Sequence, residues 1–317
     1  MQKTLTSAPR RNLKSFLGFD VVRDLTNCPA DIAILGIPFG DPYGIDEVTN
    51  DQSNAPTAVR QASVKASDRL DRWDFDLGGT LFDGRPIRAV DCGDVLGDPR
   101  DLTTHYKNAE AMVRNIRKAG ALPLVIGGDH GIPIPVLRAF DDDAPITVVQ
   151  LDAHLDWIDE FDGVREGYSS PMRRASEMDH VEGMFQIGLR SQGSAKVAEV
   201  EAARAYGSRL ITAEEVHDSG MEAVLAQIPD GGRYYLTIDA DGLDPSVMPA
   251  VAGPAPGGLT YLQSCKLIRG LVAKGRVVGM DICEITPQAD VNEITSVTAG
   301  RLMINLIGAA VRAGYFD

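Results

Sequence analysis

The chain is short of basic residues. Thirty-one Lys and Arg stand against 45 Asp and Glu, a net charge of −14 over 317 residues. That balance opposes contact with a phosphate backbone or an anionic membrane surface, so neither a nucleic-acid nor a membrane partner is expected. No stretch approaches the roughly eighteen consecutive apolar residues of a spanning helix. Cysteine is scarce too: Cys28, Cys92, Cys265 and Cys283 lie far apart and form no C-x-x-C pair. Buried free thiols in a reducing compartment fit this better than a disulfide framework or a zinc ribbon. The start, MQKTLTSAPRRNLKSF, is basic and polar with no apolar core behind it, so no export signal is expected and the cytoplasm is the expected location. With 32 Gly, 18 Pro, 44% hydrophobic and 24% charged residues, collagen-like, low-complexity and disordered states are excluded. The length allows a sizeable core, as one large α/β domain or two smaller ones.

Short apolar runs alternate with longer amphipathic stretches. Strands are predicted over 31–36 (DIAILG), 87–92 (IRAVDC), 122–127 (LPLVIG), 146–151 (ITVVQL), 184–189 (MFQIGL), 234–238 (YYLTI) and 277–282 (VVGMDI). Each is too short and too uniformly apolar for a surface helix and suits a strand buried on both faces of a parallel sheet. Helices are predicted over 102–118, 132–140, 195–205, 213–226, 261–273 and 293–313. The alternation argues for one continuous α/β sheet covered on both sides. The Gly/Pro-rich stretch 249–258 (PAVAGPAPGG) runs straight into a helix, which makes it a shaped loop and not a domain boundary.

Parallel sheets bind ligands at the carboxyl ends of their strands, and three of those ends are heavily loaded. GGDH ends in His130; DAHLD supplies Asp152, His154 and Asp156; DADGLD supplies Asp239, Asp241 and Asp244. In extended backbone the residues at i, i+2 and i+4 share a side, so Asp152, His154 and Asp156 can converge, as can Asp239 and Asp241 from a neighbouring strand. So many carboxylates at one point would repel one another by several kcal/mol unless cations neutralised them. Four carboxylates and two imidazoles suit a pair of divalent ions, manganese first, with nickel, cobalt or iron allowed by the imidazoles. Two such ions about 3.5 to 4 Å apart can share a hydroxide and make it nucleophilic near neutral pH.

GGDH, DAHLD and DADGLDP, in this order and spacing, resemble the signature motifs of the ureohydrolases, the arginase and agmatinase family, from about Asp31 to the C-terminus. The resemblance implies a three-layer α/β sandwich around a mainly parallel, about eight-stranded sheet, with residues 1–30 as an N-terminal extension and 31–317 as a single catalytic domain. It implies one manganese held by His130, Asp152, Asp156 and Asp239, and a second held by Asp152, His154, Asp239 and Asp241. In that family a metal-bridging hydroxide attacks the guanidinium carbon of a small cationic substrate, and urea and an amine are released. Asp156 would orient the hydroxide and pass a proton to the leaving amine, and Glu284, in DICEITP, would support the guanidinium group. Asp244 matches a chain-turning position outside the metal shell. Asp91, Asp94 and Asp129 read as hydrogen-bonding residues behind the site. A homo-oligomer, a trimer or hexamer, is implied by the resemblance alone.

One departure bears on substrate. Where the family carries a His-Gly pair after DAHxD, this chain has Tyr168 and Ser169 in EGYSSPMRRA, and the family's grip on an α-amino acid is absent from DAHLDWIDEFDGVREGYSS. Arginine is therefore the least expected substrate, and a tyrosine with an ordinary pKa near 10 is a poor proton shuttle at neutral pH. Trp157 and Phe161 are equally open to narrowing the pocket, stacking on a planar guanidinium, or packing the loop. The alternatives are a hydrolase of a small alkylated guanidine or biguanide, with nickel and a second related subunit, and a weakly active subunit that supports an active partner. A deacetylase-type amide hydrolase would need a His-His pair, and the sequence has none.

Overall fold

The structure, a computed structural model, describes residues 6–7, 14–25, 29–40, 42–43, 51–97, 101–142, 144–192 and 195–317. Its strands are β1 (Thr6–Ser7), β2 (Asp20–Val21), β3 (Ile32–Ile37), β4 (Ala89–Val95), β5 (Leu122–Gly127), β6 (Ile146–Leu151), β7 (Val181–Leu189), β8 (Arg209–Thr212), β9 (Arg233–Asp239) and β10 (Arg276–Cys283). The helices are α1 (Ala55–Ser63), α2 (Leu102–Lys118), α3 (Pro133–Arg138), α4 (Pro171–Ala175), α5 (Val197–Tyr206), α6 (Ala213–Ser219), α7 (Met221–Leu225), α8 (Tyr261–Lys274) and α9 (Ile294–Arg312).

All ten strands form one sheet. Eight of them run β4-β3-β5-β10-β9-β6-β7-β8 with every pairing parallel, and the two-residue strands β1, antiparallel, and β2, parallel, line the free side of β4. The expected parallel sandwich is present. Alternation along each strand divides the core in two. Ile32, Ile34, Leu124 and Ile126 face one cluster with residues of α1, α6, α7, α8 and α9. Ala33, Leu35 and Val125 face another with residues of α2, α3, α4 and α5. Side chains of consecutive strand residues point to opposite faces, so a uniformly apolar strand feeds both layers. Phe16, Leu17 and Phe19, ahead of the first long strand, belong to the first cluster.

Two expectations change. Strand β8 has no counterpart among the seven predicted strands because it is a four-residue sheet edge of which only Ile211 is buried, so it shows no apolar run. The helix expected over 213–226 is two helices, broken at Gly220, whose φ of 80° lies in the left-handed region that glycine adopts without strain. The long apolar helix α9 is a core element: 78% of its most apolar stretch is buried inside the fold. Cys92, Cys265 and Cys283 are buried free thiols, as expected, and Cys28 lies outside the described residues.

Candidate active site

The four strands at the middle of the sheet, β5, β10, β9 and β6, carry the candidate residues at their carboxyl ends. Register aligns them: Cys283 pairs with Asp239, and Leu151 with Ile238, so Asp152 follows at the level of Asp239. His130 leaves β5 through a turn in which Gly128 admits no side chain, since a Cβ there would lie 2.0 Å from the Phe39 carbonyl oxygen.

The His130 Nδ1 atom lies 2.8 Å from Asp156 Oδ2, 3.0 Å from Asp152 Oδ2 and 3.3 Å from Asp239 Oδ2. Its Nε2 sits 2.9 Å from the Thr237 hydroxyl, which itself donates to Asp281 Oδ1 at 2.6 Å. Because the Thr237 proton is committed to Asp281, its oxygen accepts from Nε2. The ring proton is thereby placed on Nε2, and Nδ1 is the nitrogen turned to the carboxylates. On the other side His154 Nδ1 lies 3.1 Å from Asp241 Oδ2 and 3.6 Å from Asp152 Oδ1. Asp152 thus faces both imidazoles, one with each oxygen. Donor atoms of His130, Asp152 and Asp239, and again of Asp152, His154 and Asp241, lie within 4.8 Å of one another.

Electrostatics say what this cluster needs. Burial first, then repulsion from Asp241 and Asp152, holds Asp239 well above the ordinary carboxylate range; Asp152 is raised by burial and by Asp156. Burial also raises Asp241, against the hydrogen bond with His154, and that bond pushes His154 up to about 10. Burial alone would lower His130, yet hydrogen bonding to Asp152 and Asp156 carries it well above its ordinary value. Burial and mutual repulsion disfavour the ionised carboxylates, and the imidazoles gain charge only by facing them; divalent cations neutralise such a donor set, so these residues fit metal ions. A third grouping, His130 with Asp281 and Cys283, fits less well, because Asp281 already accepts from Thr237 and from the Tyr235 hydroxyl at 2.6 Å.

Glu284 joins the cluster from the end of β10. Its Oε1 accepts from the His130 backbone N–H at 2.7 Å and its Oε2 from Gln52 Nε2 at 3.1 Å. Glu284 and Asp156 both sit at positive φ, 63° and 51°, which for side chains other than glycine is strain that the surrounding contacts must hold.

A profile of the arginase family matches residues 30–308. The chain belongs to the arginase family. It is 34% identical to the guanidinopropionase of Pseudomonas aeruginosa over 226 residues, 70% of this chain and 71% of that one. It is 32% identical to an agmatinase of Escherichia coli over 293 residues, 88% and 87% of the two chains. Among solved structures, the proclavaminate amidino hydrolase of Streptomyces clavuligerus superposes with a TM-score of 0.84 at 28% identity, covering 96% of this chain and all of that one.

Other residues of this arginase-family chain fall into place around the cluster. Asp244 lies outside it, accepting from Ser246 and from the backbone N–H groups of Gly257 and Gly258. Asp91 and Asp94 pair with Arg60, and Asp129 accepts from the Gly131 N–H at 2.8 Å. Tyr168 packs edge-on against Tyr43 at 4.6 Å between ring centres, and the Tyr43 hydroxyl accepts from the Ser169 N–H at 3.1 Å. Trp157 is buried in the second core cluster beside Tyr206, which settles it as packing; Phe161 lies 43% exposed against Tyr43.

Two contributors carry no recognisable signal in the sequence. Gln52 comes from a turn before α1. Arg190, after β7, donates to the carbonyls of Asp241 and Ala255 at 2.5 and 2.6 Å and so ties the Asp241 turn to the 249–258 loop. That loop borders the site, since a Cβ on Gly253 would lie 3.5 Å from His154 Cε1.

Proposed function

We propose that this arginase-family hydrolase of C–N bonds in guanidino compounds acts as an agmatinase-like amidinohydrolase, cleaving a small cationic guanidine to urea and an amine at two divalent cations, manganese in the first place. The observation that carries this reading is the convergence, at one level of the sheet, of two imidazoles and four aspartates whose oxygens divide between them. His130, Asp152, Asp156 and Asp239 would hold one cation; Asp152, His154, Asp239 and Asp241 would hold the other. Bound there, the pair would offset the carboxylate charge and acidify a water between them.

The chain's own groups supply the rest. Each Glu284 oxygen uses one lone-pair direction on His130 or Gln52 and keeps another for a guanidinium N–H, a planar pairing that suits a carboxylate. Asp156, held beside His130, takes the proton that the attacking water loses and returns it to the amine nitrogen as the C–N bond breaks. Water adds oxygen to the guanidinium carbon; its first proton reaches the leaving nitrogen through Asp156, and its second passes to the amine as the C–OH becomes the urea carbonyl, so the products are urea and the protonated amine.

A second reading, a small alkylated guanidine or biguanide with nickel in place of manganese, is favoured by Tyr168 where the resemblance leads one to expect histidine. The test is product formation by mass spectrometry. Manganese-loaded and nickel-loaded protein would be offered agmatine, guanidinobutyrate, guanidinopropionate, arginine, guanidine, dimethylguanidine and a biguanide. Cleavage of agmatine or a guanidino acid supports the first reading, and cleavage of only the alkylated compounds the second. No cleavage of any, with two metals bound per chain, overturns both in favour of a subunit that serves an active partner. His154→Ala is expected to abolish turnover and lower metal content.

A further inference from the structure

Strands β6 and β7 each carry one glutamine, and the two are cross-strand partners, both fully buried: Gln150 and Gln186. Primary amides inside a sheet layer are costly unless every donor and acceptor is met. Here they are, and in one orientation only. Gln186 Nε2 donates to the Leu155 carbonyl oxygen at 2.7 Å, and a carbonyl can only accept. The other Nε2 proton therefore goes to Gln150 Oε1 at 2.6 Å, while Gln186 Oε1 accepts from the Ser208 hydroxyl at 2.8 Å. With its oxygen engaged, Gln150 must turn its Nε2 to the site, where it donates to Asp152 Oδ2 at 2.6 Å and Asp156 Oδ2 at 3.3 Å. One backbone carbonyl thus sets the polarity of a chain that starts beside the edge strand and ends on two carboxylates.

The contact is one-sided. Asp152 Oδ2 and Asp156 Oδ2 are the oxygens facing His130, at 3.0 and 2.8 Å. Asp152 Oδ1 faces His154 and accepts the His154 backbone N–H at 2.6 Å. Gln150 touches only the first set.

We infer that Gln150, oriented by Gln186 and Ser208, is the positioning residue for the His130 half of the metal centre: it holds together and aims the Asp152 and Asp156 oxygens that face His130, and makes no hydrogen bond to His154, to Asp241 or to the Asp152 oxygen that faces His154. This rests on the reading that the cluster holds two cations. A shared N–H donor between two like charges keeps them side by side before a cation arrives.

The test is manganese titration of metal-stripped protein, read by elemental analysis and by low-temperature electron paramagnetic resonance. The wild-type chain is expected to bind two ions with the spectrum of a coupled pair. In Gln150→Met one of the two ions should bind about 10- to 100-fold more weakly, leaving the six-line signal of isolated manganese. Adding His154→Ala should then remove the remaining ion. Loss confined to one ion is what a merely structural role would not produce. Gln150→Met that binds both ions with wild-type affinity and coupling overturns the inference, as does equal weakening of both. Should Gln150→Met fail to fold, Ser208→Ala decides: a selective loss of about 3- to 10-fold supports the inference, and unchanged binding refutes it. A wild-type chain that holds one ion overturns the two-cation reading and this inference with it.

Discussion

Arg60 offers a sharp test of how the sheet's β4 edge is held to the helices. It stands on α1, 1% exposed, and donates to both oxygens of Asp91 at 2.8 and 3.0 Å, to the Gly93 carbonyl at 3.1 Å, and to Asp94. Asp91, with no exposure, also accepts from the N–H groups of Phe16 at 2.8 Å and Gly93 at 2.9 Å. Arg60→Met keeps the length of the side chain and removes the charge, which strands the Asp91 carboxylate on two backbone donors. Breaking a buried pair from one side costs about 3 to 5 kcal/mol. At about 2 °C per kcal/mol for a chain of this size, Tm should fall by roughly 6 to 10 °C. Asp91→Leu should cost a similar amount. The double variant should lie closer to wild type than either single one, because no uncompensated charge is left. Urea unfolding followed by circular dichroism measures all three. None of these contacts involves a candidate metal ligand, so metal content and kcat of the folded variant should match wild type at 20 °C or below. A loss under about 1 kcal/mol for Arg60→Met, or a double variant as unstable as the singles summed, would refute the argument.

Thr237→Val removes the hydroxyl that receives the His130 Nε2 proton, and manganese affinity should fall about 10- to 100-fold with little change in fold; calorimetric titration showing wild-type affinity would remove Thr237 from the account. Tyr168→Phe keeps the ring contact with Tyr43, so a lower turnover or altered substrate preference would report on the hydroxyl alone, whereas kinetics equal to wild type assign Tyr168 to packing. In metal-free protein His154 is raised from 6.5 to about 10, so its proton stabilises the native state fully below pH 6.5 and this contribution is lost as the pH rises toward 10. The raised aspartates act in the same direction. Bound cations replace those protons, so Tm of chelator-treated protein should fall more steeply between pH 6.5 and 9 than that of manganese-loaded protein; parallel slopes would contradict this.

Much of the site was legible because its chemistry is local in the chain. Asp152, His154 and Asp156 follow directly on β6, and GGDH and DADGLD close their own strands, so the motifs alone placed the candidate ligands at strand ends; the extended backbone expected over 152–156 is instead a bend after Leu151 with Asp156 at positive φ, and it is this turn that brings the three side chains to the site. Apolar runs identified seven of the eight long-sheet strands for the same reason, and the eighth, β8, was invisible because an edge strand buries one residue of four. Trp157 and Phe161 were equally ambiguous in the sequence; only the packing of Trp157 against Tyr206 separated them.

What the sequence determined by itself was the alternation of elements and the identity of the loaded turns, since both follow from the period of side-chain direction over a few residues. What only the tertiary structure decided was which groups meet. Glu284 reaches His130 across 154 positions and Gln52 across 232, through the register of neighbouring strands and a turn packed over them. The Ser208–Gln186–Gln150 chain exists only because β6, β7 and the start of β8 lie side by side. A buried polar group declares its role through its partner, and partners far apart in the chain are chosen by packing and register, which no local pattern records.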